Sequence, residues 1–214
     1  MAANPVGEEE TSSLRLQFDR SVKLAFRGCS ISSDGGLLLH RELDDALGLT
    51  DLAATLIADP RIGKNGRHHL AGLLRQSIFS RLAGYEDVND ADRLRRDPAM
   101  RQLVGGLAVK RGAASASAMG RFETAMLTRS ENLTLLADLP GRWIDAVHDK
   151  QPPKVVTLDM DSSESPVYGD QEGAVRSGHV QSKCLHPLLV FNQFGDLERC
   201  ALRPGNVHSA DGWE

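Results

Sequence analysis

A chain of 214 residues, 41% hydrophobic and 25% charged, can bury a core in one or two domains, and its longest apolar runs, such as 188–191, fall far short of the roughly 18 residues of a membrane span. The start, MAANPVGEEETSS, lacks the basic and apolar regions of a secretory signal, so a cytoplasmic location is expected; Cys29, Cys184 and Cys200 are too widely spaced for a zinc set. The formal charge of −4 conceals a division: residues 1–60 hold 5 basic and 10 acidic side chains, residues 61–121 hold 12 and 5, and residues 122–214 hold 8 and 14. A basic middle between acidic flanks suggests a surface that faces a polyanion, although an arginine-rich solvated helix surface has the same composition.

The acidic, polar start has no apolar area to offset its ordering entropy, and a frayed tail is expected. Leu14, Leu16 and Phe18, then Val22, Leu24 and Phe26, alternate with other residues on either side of Asp19-Arg20-Ser21, which reads as a small hairpin. From Ser33 the period becomes helical: Leu38, Leu39, Leu43 and Leu47 run to a stop at Gly48. A second helix fits residues 51–58. After the loop RIGKNGR, residues 68–83 give the strongest helical pattern, with Leu70, Leu73, Leu74, Ile78 and Leu82 on one stripe. Further helices are expected at 89–96, 98–105, 119–128 and 130–149, with breaks or kinks at Asp97-Pro98 and Leu139-Pro140-Gly141. The segment AASASAM (113–119) reads as a loop or a close helix contact.

Gln151-Pro152-Pro153 marks a boundary, because proline cannot continue a helix. Strand chemistry follows in Lys154–Met160, and in a hairpin over 185–203 that turns at Gly195-Asp196. In VVTLDMDSS, alternation puts Val155, Thr157, Asp159 and Asp161 on one face, with the carboxylates about 6.6 Å apart at the strand's end. Such a pair suits a hard divalent cation, Mg²⁺ or Mn²⁺; a plainer reading is that one aspartate caps the strand through Ser162 and Ser163. The pattern DxDx[TS] also fits a HAD-like phosphatase with Asp159 as nucleophile and Asp161 as acid/base, although that fold expects an early motif in a Rossmannoid chain. His68-His69, at a helix start, reads as capping or solvated.

Larger blocks carry a more specific resemblance: SDGGLLLHREL (33–43), RLAGYEDVNDADRLRRDPAM (81–100), RFE (121–123), LDMDSSESPVYGDQEGA (158–174) and HPLLVFNQFGDLERCALRPGNVHSADGW (186–213). With these the chain resembles bacterial insertion-sequence transposases of the DDE domain group 1 family. The resemblance implies mixed α and β structure: a tail and hairpin over 1–32, a helical, DNA-binding domain over 33–150, and the start of an RNase H-like catalytic domain over 154–214. It implies Asp161 as the first catalytic, metal-binding carboxylate, with Asp159 as alternative or supporting ligand, in Mg²⁺- or Mn²⁺-dependent cleavage and strand transfer.

The family's second aspartate and its glutamate are expected beyond Trp213-Glu214, so the chain reads as truncated and inactive by itself. A sheet stopped after three strands leaves an edge suited to self-association. The implied partner is double-stranded DNA of transposon ends and target. Lys64, Arg67, Arg75, Arg81, Arg93, Arg95, Arg96, Arg101, Lys110, Arg111 and Arg121 are the candidate phosphate contacts, joined by Arg203 in the run RPGNVH, which either orients DNA or shapes a turn. A non-catalytic DNA-binding derivative remains an alternative.

Overall fold

The computed structural model describes residues 14–24, 34–61, 68–178 and 181–211. The expected tail, Cys29, Ser33, Lys64 and Arg67 lie outside them. The chain divides into two units, Met1–Arg129 and Ser130–Glu214.

Unit 1 holds the expected hairpin, in which β1 (Leu14–Arg15) pairs antiparallel with β2 (Lys23–Leu24); Phe26 lies outside the described residues. Asp19 makes the turn, its carboxylate accepting from the Ser21 N–H at 2.9 Å and its carbonyl from the Val22 N–H at 3.1 Å. A 3₁₀ turn at Gly35–Leu37 leads into α1 (Leu38–Leu47), which ends where Gly48 takes φ 75° and its N–H returns to the Asp44 carbonyl. Then come α2 (Leu49–Leu56) and α3 (Leu70–Leu82).

The leucine stripe expected on α1 is not its buried face. Leu39 and Leu43 are exposed, while Leu38, Arg41 and Asp44 are buried. An ionic network explains this: Arg41 Nε donates to the Leu103 carbonyl at 3.0 Å and its Nη1 pairs with Asp45, while Asp44 accepts from the Thr50 N–H at 2.8 Å. Arg75 of α3 closes the network on the Thr50 hydroxyl at 3.0 Å and Asp51 at 2.9 Å. On α3, Gln76 and Phe79 are buried beside Leu70, Leu73 and Leu74, and Leu82 is exposed.

A 3₁₀ turn (Val88–Asp90), α4 (Ala91–Leu94) and α5 (Pro98–Val104) follow; Asp97 caps α5 by accepting from the Met100 N–H at 2.9 Å. The sequence reading misses α6 (Ala108–Arg111), because Gly105, Gly106 and Gly112 confine it to one turn. AASASAM proves to be a close helix contact: Ala113 and Ala114 are buried, and α7 (Ala116–Arg121) starts within the segment and continues into a π-helical stretch, Phe122–Leu127. Leu16, Leu38, Phe79, Leu94, Met100 and Leu103 belong to the core that unites these elements.

Unit 2 begins with α8 (Ser130–His148). The division thus falls at Arg129–Ser130 and not at Gln151-Pro152-Pro153, because α8 packs on the sheet that follows it. The helix runs through Pro140 as one element, within the 130–149 span where a helix with a break or kink at Leu139-Pro140-Gly141 was expected. Proline removes one helix hydrogen bond, and packing holds the rest: Gly141 lies against the Glu198 backbone, and Asp138 pairs with Arg199 at 2.9 Å.

β3 (Leu158–Ser162), β4 (Ser165–Pro166), β5 (Val175–Arg176), β6 (Lys183–Leu185), β7 (Leu188–Asn192) and β8 (Leu197–Ala201) form two antiparallel sheets, ordered β3-β7-β8 and β4-β6-β5. The β7–β8 hairpin turns as expected, with Gly195 at φ 85° and the Asn192 side chain accepting from the N–H groups of Phe194 and Asp196. β3 starts later than the expected Lys154, because β7 ends at Asn192. Beyond it the Gln193 amide replaces the strand ladder, accepting from the Thr157 N–H and donating to the Val155 carbonyl, each at 2.8 Å. Among the described residues no helix is long and apolar enough to cross a membrane.

Candidate functional site

β3 carries the aspartates within its length, Asp159 opposite Phe191 and Asp161 opposite Leu189 on β7. Strand alternation therefore puts both carboxylates on one face, as the sequence pattern indicated, and Leu158, Met160 and Ser162 on the other. They do not sit at the end of a buried strand, however: Leu158 through Asp161 are exposed. Desolvation is therefore not what demands a cation. What favours one is open coordination: among the described residues, neither carboxylate has a hydrogen-bond or ion-pair partner, and the strand-capping role is not seen. Hard oxygen donors two residues apart on an open strand fit part of a Mg²⁺ or Mn²⁺ shell. Among the described residues no group of three or more His, Cys, Asp or Glu gathers around a common point.

Where β3 ends, Ser162, Ser163 and Glu164 form one wall of a polar cleft of about 670 Å³. Asn206, His208 and Ser209 line it too, with His186 between β6 and β7. The Ser163 N–H donates to the Pro187 carbonyl at 3.0 Å, which ties this end of β3 to the start of β7. The sequence reading left His186 unremarked; its only signal was a Pro-Gly-Asn turn placed to return the chain beside Ser162-Ser163.

The basic candidates separate by what they touch. Arg75 is half-buried in the ionic network, and Arg101 donates to the Ala108 carbonyl at 3.1 Å, joining α5 to α6. Arg81 makes a two-pronged pair with Glu123, at 2.9 and 3.0 Å. Burial pulls the Glu123 carboxyl upward, but hydrogen bonds from Arg81 and Ser77 together with the Arg81 charge outweigh it, and it lies below its ordinary value. Arg203 is 8% exposed and faces backbone carbonyls.

The remainder are surface groups: Arg93 lies over the Tyr85 ring at 4.8 Å, and Arg96, Lys110, Arg111 and Arg121 are exposed. The Ala113 N–H donates to the Arg95 carbonyl at 3.1 Å, so the 95–96 and 110–111 segments are neighbours although α5 separates them in sequence. His69 stands at the cap position of α3 without a side-chain capping bond, and His68 lines an apolar cleft of about 370 Å³ with Arg121 and Phe122.

The family model for transposase DDE domain group 1 matches residues 14–214. The chain belongs to this family. No curated protein and no solved structure matches it. The mixed helix and sheet seen here is consistent with a transposase DDE domain. The phosphatase alternative lacks its setting, because β3 pairs antiparallel with β7 and is followed by β4 instead of a helix.

Proposed function

We propose that the chain acts as a bacterial insertion-sequence transposase, binding duplex DNA of transposon ends and target and taking part in Mg²⁺- or Mn²⁺-dependent phosphodiester cleavage and strand transfer. The observation that carries this reading is the pair of exposed carboxylates, Asp159 and Asp161, without a partner among the described residues, on one face of β3, the strand that ends at the polar cleft. Asp161 is the primary ligand, because it lies one residue from the cleft, and Asp159 supports it. The antiparallel order β3-β7-β8, with the aspartates on its edge strand, supports an RNase H-like catalytic domain.

The chemistry that divalent ions supply in such a site is activation of a hydroxyl nucleophile and stabilisation of the leaving oxygen. The chain's own part is to hold two carboxylates in fixed register through five backbone-paired positions of β3 and β7. Arg95, Arg96, Lys110 and Arg111 of unit 1 form the basic surface for DNA phosphates. Arg93 and Arg121 extend it.

Mn²⁺ titration followed by paramagnetic line broadening tests the site. Signals of residues 158–162 should broaden first in the wild type, and the effect should vanish in Asp161→Asn while duplex DNA binding persists. Broadening confined to other residues would overturn the assignment.

A further inference from the structure

Arg203 is a buried cation without a carboxylate partner among the described residues. Its Nε donates to the His186 carbonyl at 3.0 Å, and its Nη1 to the carbonyls of His208 at 3.4 Å, Ser209 at 3.2 Å and Asp211. Its Nη2 is buried with no hydrogen-bond partner among the described residues. The Asp211 carboxylate is engaged elsewhere, accepting from the His208 N–H at 3.0 Å. An uncompensated buried charge is costly, and it persists only where carbonyl dipoles or an external anion offset it.

The three carbonyls of residues 186, 208 and 209 belong to residues that line the polar cleft. The guanidinium therefore stands directly behind the cleft wall and fixes its shape. In the trans peptide the Ser209 N–H points opposite to the His208 carbonyl, hence away from Arg203. His208 Nδ1 accepts from the Ala210 N–H at 3.2 Å, which leaves Nε2 as the protonated donor. Gly205 locks the other end of the loop: a Cβ there would meet the Cys184 carbonyl, and would lie 2.6 Å from Cys184 Sγ and 2.7 Å from the Val175 carbonyl. The result is a cleft with neutral donors on its wall, namely the Asn206 amide, His208 Nε2 and the hydroxyls of Ser162, Ser163 and Ser209. Its positive charge lies behind the carbonyls of residues 186, 208 and 209, and the carboxylate of Glu164 lines the cleft beside Ser162 and Ser163.

We propose that this cleft binds a phosphodiester group of the DNA strand, with Arg203 as the positioning residue that holds the 204–211 loop and supplies charge from behind it. The proposal rests on the transposase reading and gives Arg203 a role other than direct DNA contact. It places a phosphate at the end of β3, one residue along the chain from Asp161.

The test uses the 214-residue chain with the 5′-phosphorylated dinucleotide pTpT as probe and unphosphorylated thymidine as control, followed by NMR. The dinucleotide should shift signals of Asn206, His208 and Ser209, and thymidine should not. Arg203→Gln and Ser209→Glu should each weaken pTpT about tenfold or more, the cost of removing or repelling a charge-assisted hydrogen bond. Arg203→Lys, which restores charge and donors, should recover part of the affinity. Ser209→Glu alters only an exposed side chain, so it decides the matter if Arg203→Gln fails to fold. Unchanged pTpT binding in Ser209→Glu, or shifts confined to Arg95, Arg96, Lys110 and Arg111, would overturn the proposal while leaving the transposase reading in place. Binding of pTpT in the cleft by a chain with no affinity for duplex DNA would sink the transposase reading and leave the phosphate site.

Discussion

Gln76 grips Ala114 by both edges of its amide: Nε2 donates to the Ala114 carbonyl at 2.9 Å, and Oε1 accepts from the Ala114 N–H at 2.7 Å. Both residues are buried, so one side chain satisfies two backbone groups that water cannot reach. Gln76→Leu keeps the volume and abandons both bonds. It should lower stability by about 2–4 kcal/mol, from two buried groups left unpaired. A urea midpoint that moves by less than a quarter of that would show the bridge to be dispensable.

Glu123 links stability to pH. Its folded carboxyl lies below the unfolded value of about 4.3. Its stabilisation is therefore fully present above that value and is lost as pH falls through the lower folded one. Glu123→Gln should be less stable than wild type at pH 7, and the gap should close as pH drops below about 4. Urea unfolding at several pH values reads this directly. A gap independent of pH would mean that the Arg81–Glu123 pair acts through packing alone.

Much of this fold was legible because local signals and tertiary packing agree. Gly48 ends α1, Asp97-Pro98 starts α5, and Gly195 turns the β7–β8 hairpin, each where turn or capping chemistry put it. The inner face of α1 was not legible. Its leucines spelled a stripe, but Arg41 reaches a carbonyl 62 residues away, and no local period encodes that. The site divides in the same way: strand alternation revealed the shared face of Asp159 and Asp161, whereas the cleft wall needs residues 186 and 206–209 brought together by Arg203.

Gly141 sets two effects against each other. Alanine there would gain about 1 kcal/mol of helix propensity. Its Cβ would also stand 2.9 Å from the Glu198 carbonyl oxygen, a backbone atom held in the sheet. Forcing α8 off β8 costs about 1–3 kcal/mol, so Gly141→Ala should be net destabilising. A raised melting temperature would show that the helix has room to move.

Duplex DNA binding should depend steeply on salt, and the slope should identify the residues responsible. Replacing Arg95, Arg96 and Arg111 with Gln should reduce the log–log salt slope by about 0.9 for each phosphate no longer neutralised. Arg75→Gln should not change the slope, since that side chain is held by Asp44, Thr50 and Asp51. Equal slopes for wild type and the triple variant would move the DNA surface elsewhere.

The two aspartates make a prediction about coupling. Carboxylates two residues apart on one strand supply only part of an octahedral shell, and among the described residues no third acidic, histidine or cysteine side chain joins them. The 214-residue chain should therefore bind Mg²⁺ weakly and should not cut DNA by itself. If both carboxylates hold one ion, removing either forfeits most of the binding, and removing the second adds little. Effects of Asp159→Asn and Asp161→Asn on Mn²⁺ affinity should then be strongly non-additive, with the double variant no weaker than Asp161→Asn alone. Additive losses in the cycle would mean two independent weak sites, and the shared face of β3 would then have no role in holding a common ion.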